Sequence, residues 1–194
     1  MNRGVNISRI AGFTLVELLV TLSIAAILAA VAVPMLSGFQ MRQDMNAMAN
    51  EFTGALQMAR MEAVTRNTCV AVCRRAPSGA ALCAGEDGPW NSGWLVYEKP
   101  SCASSAEPDE PAAGQALRAQ GPVAATLSLQ DANGGNAPEI IVFSPRGVVV
   151  GQAGSMRISD SRDTAGAHVR DIAFSRMGKV RTTLVAGAAG GGDD

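Results

Sequence analysis

From Phe13 to Val33 the chain is apolar at every position except Thr14, Glu17, Thr21 and Ser23. So even a run shows no amphipathic period and predicts one helix, about 32 Å long at 1.5 Å per residue, close to the hydrocarbon thickness of a bilayer. Pro34 and Gly38 follow, where a kink or local break is expected. The pattern then changes. Met41, Met45, Met48, Phe52, Leu56, Ala59 and Ala63 recur at steps of three and four, while Arg42, Asp44, Asn46, Glu51, Gln57 and Glu62 fall largely on other faces. That spacing predicts an amphipathic helix with its methionine-rich side packed beneath a sheet. Arg66-Asn67 carries the end signals, just before β-branched residues begin. Beyond it, short apolar runs punctuated by glycine and proline predict strands over 68–74, 93–98, 125–129, 139–143, 148–150, 156–159, 169–174 and 179–185. Pro145 and Gly147 mark one hairpin turn, and Arg176-Met177-Gly178 marks the last. Residues 100–121, with Glu107, Asp109 and Glu110, read as a loop, and 186–194 as a flexible tail. A helix followed by antiparallel strands is an α+β layout.

One charge stands inside the first apolar run. Placing Glu17 in lipid costs roughly 2.5–3.5 kcal/mol on insertion scales, so it calls for a compensating role. Gly12 directly before Phe13, with Glu17 at the fifth position counted from Phe13, resembles the processing site of type IV prepilins and pseudopilins. The resemblance implies cleavage after Gly12 by prepilin peptidase, methylation of the new amino terminus at Phe13, and a filament contact in which Glu17 meets a neighbouring subunit's Phe13 amino group. A carboxylate that is a liability alone becomes a register device once paired with that cation. The leader, residues 1–12, carries Arg3 and Arg9 and no acid, which keeps its end cytoplasmic by the positive-inside tendency. The expected topology is a single pass of the inner membrane with the carboxy-terminal domain in the periplasm. Ala30-Val31-Ala32 offers a competing signal-peptidase site. The run is nonetheless longer than the roughly 7–15 residues of a signal-peptide core, which favours retention over release.

The 194-residue chain has room for one globular domain behind the helix. Its net charge is −1, and without the leader's two arginines 14 basic side chains face 17 acidic ones, a net −3. That excludes a general nucleic-acid footprint and leaves only a local patch. Cys69, Cys73, Cys83 and Cys102 all lie beyond the apolar run, in a compartment where disulfides are the default. Their spacing lacks paired C-x2-C knuckles, which argues against zinc. If 68–74 pairs antiparallel with 93–98, the outer ends bring Cys69 near Cys102, and Cys73–Cys83 closes the intervening loop. His168 is the only histidine, and no serine or cysteine sits in a nucleophile motif. With no P-loop and no dinucleotide fingerprint, neither an enzyme nor a cofactor is expected. Trp90 and Trp94 read as core anchors.

Further motifs extend the resemblance along the chain. Ala59-Arg60-Met61-Glu62-Ala63 with Arg66-Asn67, Trp90-x-x-Gly93-Trp94, Phe143-Ser144-Pro145-Arg146-Gly147 and Gly178-x-x-Arg181 are similar to motifs of the GspH/FimT family of type IV minor pilins and pseudopilins. Residues 100–121 stand outside that likeness. The family implies a pilin-like fold: a transmembrane half-helix (13–34), an amphipathic half (35–67), a β-rich domain (68–185) and the tail (186–194). It implies other pilin or pseudopilin subunits as partners, in a type IV pilus or its tip complex. The alternatives are the H-type pseudopilin of type II secretion and a DNA-binding minor pilin for transformation. The last rests on Arg176, Lys179 and Arg181. Lys179 and Arg181 project from one face of a strand, and three cations at a turn can hold successive phosphates. DNA-binding relatives end in G-R-x-R where this chain has G-K-x-R, and lysine keeps the charge but loses the bidentate fork. The competing reading is an ordinary solvated hairpin tip, which the net negative charge favours.

Overall fold

The computed structural model describes residues 13–78, 81–84, 88–103, 116–132 and 138–185, with residues 31–35 and 37 described by their backbone alone. The leader with Gly12, the acidic group Glu107, Asp109 and Glu110, and the tail 186–194 lie outside the described residues. The chain divides into two compact units, Met1–Gln40 and Met41–Asp194.

The helix α1 (Leu15–Arg66) begins in the first unit. The break expected at Pro34 does not occur, since the helix assignment continues through it and through Gly38. A proline forfeits one backbone hydrogen bond, and the helix-favouring residues on either side keep the rest of the ladder. Among the described residues no helix is long and apolar enough to cross a membrane. The apolar run that suggests a span continues to Val33, into positions described by backbone alone.

In the second unit the whole predicted stripe of α1 is buried, from Met41 at 8% exposure to Ala63 at 0%. The ring of Phe52 meets Trp90 and Trp94 edge-on, at centroid distances of 5.4 and 5.2 Å. This is the arrangement aromatic quadrupoles favour, and it fixes both tryptophans in the core. α1 ends at Arg66 because Asn67 takes a left-handed φ of 52°. The Thr68 amide then donates back to the Ala63 carbonyl at 3.3 Å, the six-to-one bond of a Schellman cap.

Two antiparallel sheets follow. The first is ordered β3-β2-β1-β5-β6, with β1 Val70–Arg74, β2 Trp94–Glu98, β3 Ala116–Ala119, β5 Ile140–Phe143 and β6 Val149–Val150. The second is ordered β4-β7-β8-β9, with β4 Leu127–Asp131, β7 Gly154–Asp160, β8 Arg170–Phe174 and β9 Val180–Leu184. β1 and β2 pair from Val70 opposite Glu98 to Arg74 opposite Trp94. The structure joins Cys69 to Cys102 and Cys73 to Cys83, with Cα separations of 5.3 and 5.7 Å.

The loop expected over 100–121 contains a strand. β3 pairs with β2, Leu95 opposite Ala119 and Val96 opposite Arg118, across a bulge between Val96 and Tyr97. Ala-Leu-Arg-Ala has little intrinsic strand preference, so the open edge of β2 imposes the conformation. A 3-10 turn, Trp90–Ser92, precedes β2. Its Asn91 amide donates to the Leu127 carbonyl at 2.9 Å and accepts from the Leu129 amide at 3.1 Å.

Candidate functional site

Two regions carry the residues singled out above. At the amino-terminal one, Thr14 is the cap of α1: its hydroxyl accepts from the Glu17 amide at 3.2 Å, and its carbonyl accepts from the Leu18 amide at 3.2 Å. Thr14-x-x-Glu17 is thus a capping-box sequence, a signal the chain displays and the sequence reading passed over. Glu17 in the first turn also faces the positive end of the helix dipole, so it stabilises α1 before any partner arrives. Among the described residues its carboxylate holds no ion pair. Thr21 and Ser23 donate their hydroxyls to the carbonyls of Leu18 and Leu19, at 2.9 and 2.8 Å. The polar atoms of the run are therefore satisfied within the helix, apart from the Glu17 carboxylate.

Around that carboxylate the helix is apolar on all sides. Phe13, Leu15, Val16, Leu18, Leu19, Val20, Leu22, Ile24, Ile27 and Leu28 are each at least 52% exposed. A helix of this kind is stable only against lipid or other apolar helices, so this surface is built for covering.

The second region is the turn between β8 and β9. Ser175 and Lys179 close it with an amide-to-carbonyl bond of 3.0 Å, and the Gly178 amide donates to the Ser175 carbonyl at 2.9 Å. Gly178 has φ +71°, and a Cβ there would lie 2.0 Å from the Gly147 carbonyl oxygen. Gly147, at φ +71° in the turn between β5 and β6, would place a Cβ 3.2 Å from both Arg60 and Val64. Arg60 of α1 donates its Nε to the Gly147 carbonyl at 2.9 Å. The three motifs containing Arg60, Gly147 and Gly178 therefore meet at one point, where two turns lie against the helix too closely for any side chain. No spacing in the sequence announces that contact.

This stack rigidly sets the basic residues. Arg176, Lys179 and Arg181 are all exposed. Lys179 and Arg181 line one shallow depression of about 520 Å³ with Ser155, Ala173, Phe174 and Ser175, while Arg176 does not line it. The structure thus brings two of the three cations together and leaves the third apart. Elsewhere basic groups are matched locally. Arg157 holds Asp171 through two bonds of 2.8 Å, and Arg162 bridges Asp160 of β7 and Asp44 of α1 at 2.6 and 2.7 Å. The Arg162 guanidinium, hydrogen-bonded to Asp160, holds that buried carboxyl below the ordinary carboxylate range. His168 lies in the loop between β7 and β8, its amide bonded to Asp163 at 2.7 Å.

The comparisons with known proteins fall on the same two regions. The family model described as "Type II transport protein GspH" matches residues 48–178. The prokaryotic N-terminal methylation motif matches residues 7–33. No curated protein matches the chain. Among solved structures, the type IV minor pilin FimU of Pseudomonas aeruginosa strain PAO1 is similar with a TM-score of 0.52 and 23% identity, over 77% of this chain and 94% of FimU. A second crystal form of FimU gives a TM-score of 0.50 and 21% identity, over 71% and 91%. The minor pseudopilin EpsH of the Vibrio cholerae type 2 secretion system gives 0.46 and 13%, over 73% and 97%. At these identities the FimU likeness is one of fold.

Proposed function

The chain belongs to the GspH family of type II transport proteins, and from that membership we propose that it is a minor pilin, a structural subunit of a type IV pilus or its tip complex. The amino-terminal methylation motif implies processing by prepilin peptidase and assembly with other pilin subunits. Cleavage after Gly12 and methylation of Phe13 leave residues 13–34 as the assembly helix, held in the inner membrane before assembly, with the domain in the periplasm. Once in the filament, Glu17 sets register against a neighbour's Phe13 amino group.

The observation that carries this reading is the first stretch of α1: a lone carboxylate within exposed apolar side chains, on a helix whose hydroxyls bond internally. Burial of that surface drives association, and the one charge penalises every register that leaves it unpaired. The test is surface pilin recovered by shearing from an in-frame deletion strain, with complementation by the wild-type chain or by Glu17→Ala. Loss of pili in the deletion, restored by the wild type and not by Glu17→Ala, is the expected result. Full rescue by Glu17→Ala would sink the register role.

The family's own description favours a second reading, an H-type pseudopilin of type II secretion. Normal piliation with impaired secretion in the deletion strain would select it. A third reading, DNA capture, draws on Lys179 and Arg181 sharing one depression. It expects duplex DNA binding that weakens with salt and is lost on substituting both by alanine.

A further inference from the structure

We propose that Asp193 and Asp194 dock on Lys179 and Arg181, so that segment Ala186–Asp194 covers the chain's own cationic depression. The inference goes beyond the proposed function and does not depend on DNA binding.

Three features lead to it. The first is charge: Lys179 and Arg181 are exposed, face one depression and hold no ion pair among the described residues, whereas Arg66, Arg157 and Arg162 each have carboxylate partners in the fold. The second is reach. Lys179 lies six residues before Val185, about 20 Å along a strand at roughly 3.3 Å per residue, and nine further residues span up to about 30 Å. The two carboxylates therefore come level with Lys179 and Arg181 when the segment doubles back. The third is fit. Ala186 to Gly192 are all alanine or glycine, and the depression they must cross has small residues, Ala173 and Ser155, in its lining. β9 is the outermost strand of its sheet, so no other strand occupies the side along which the segment returns.

A tethered pair of carboxylates acts at an effective concentration of order millimolar, enough to compete with weak external anions and too little to exclude strong ones. The depression is then a site that opens to a polyanion by displacing the segment, with an affinity that both salt and the segment control.

Lysine chemistry gives a direct readout, because the chain has only two lysines, Lys99 and Lys179. Lys99 is 1% exposed and serves as the internal control for folding. The full chain in neutral detergent micelles is acetylated with an N-hydroxysuccinimide ester, and Lys179 is followed by peptide mass spectrometry. Truncation after Val185 and the double variant Asp193→Asn, Asp194→Asn are each expected to speed Lys179 acetylation about two- to fivefold at low salt. The difference should vanish near 1 M salt, where the screening length is about 3 Å. An unchanged Lys179 rate in the double variant overturns the proposal, including when truncation alone raises it. No DNA is present, so the outcome leaves the DNA reading to its own test.

Discussion

The two sheets of the domain are held in different ways. Every residue of β1 is buried, and the first sheet has two covered faces. Val70, Val72, Val96, Ile141 and Phe143 face the main core, while Cys69, Ala71, Cys73, Leu95, Tyr97 and Val142 form a second cluster that both disulfides close. The second sheet buries Met156, Ile158, Ile172 and Phe174 on one side. Its other side is polar: Ser128 bonded to Ser159 at 2.6 Å, Arg157 to Asp171, and Arg181 in its depression. Stability is concentrated where covalent staples and two apolar layers coincide, and chemistry available to partners where only one layer is needed.

Substitutions rank the two halves. Phe52→Ala removes the ring that touches both tryptophans and should cost about 3–5 kcal/mol in urea unfolding; a cost below 1 kcal/mol would mean the shared core does not hinge on that cluster. Replacing Cys69 and Cys102 by serine should cost about 4 kcal/mol, and replacing Cys73 and Cys83 about 3, because the first pair closes 33 residues of chain and the second 10. Equal or reversed costs would show that loop closure is not what the staples supply. In the second sheet, Asp160 is the sharper probe. Its carboxyl is held below the ordinary range by Arg162, so it contributes stability that is present above the unfolded value of about 3.9 and fades as pH falls through the folded value. Asp160→Asn should lower the urea midpoint at pH 7 and flatten the acid side of the profile; parallel profiles would remove Asp160 from the account. Arg157→Ala is the smallest change, under about 1 kcal/mol by the same unfolding assay, since its side chain is 40% exposed.

Much of this architecture can be read from periodicity. The stripe from Met41 to Ala63 is regular enough to fix the buried face of α1, and the pairing of β1 with β2 brings the cysteines into reach of one another. β3 could not be read because Ala116–Ala119 becomes a strand only through the edge it pairs with. The break expected at Pro34 weighed a single lost amide above the helical preference around it. At the candidate site the basic residues were visible as a motif, but the separation of Arg176 from Lys179 and Arg181 depends on the turn geometry that Gly178 sets. The meeting of Arg60, Gly147 and Gly178 is tertiary, and only the unusual backbone of two glycines leaves a trace of it in sequence.

Asn91 has a consequence for life in a crowded assembly. An open strand edge repeated along a polymer of identical domains invites uncontrolled sheet growth from one copy to the next. By giving and taking one hydrogen bond each with Leu127 and Leu129, the Asn91 amide imitates a neighbouring strand for one repeat and closes that stretch of β4. A single side chain thereby helps keep copies brought close together from fusing through their sheets.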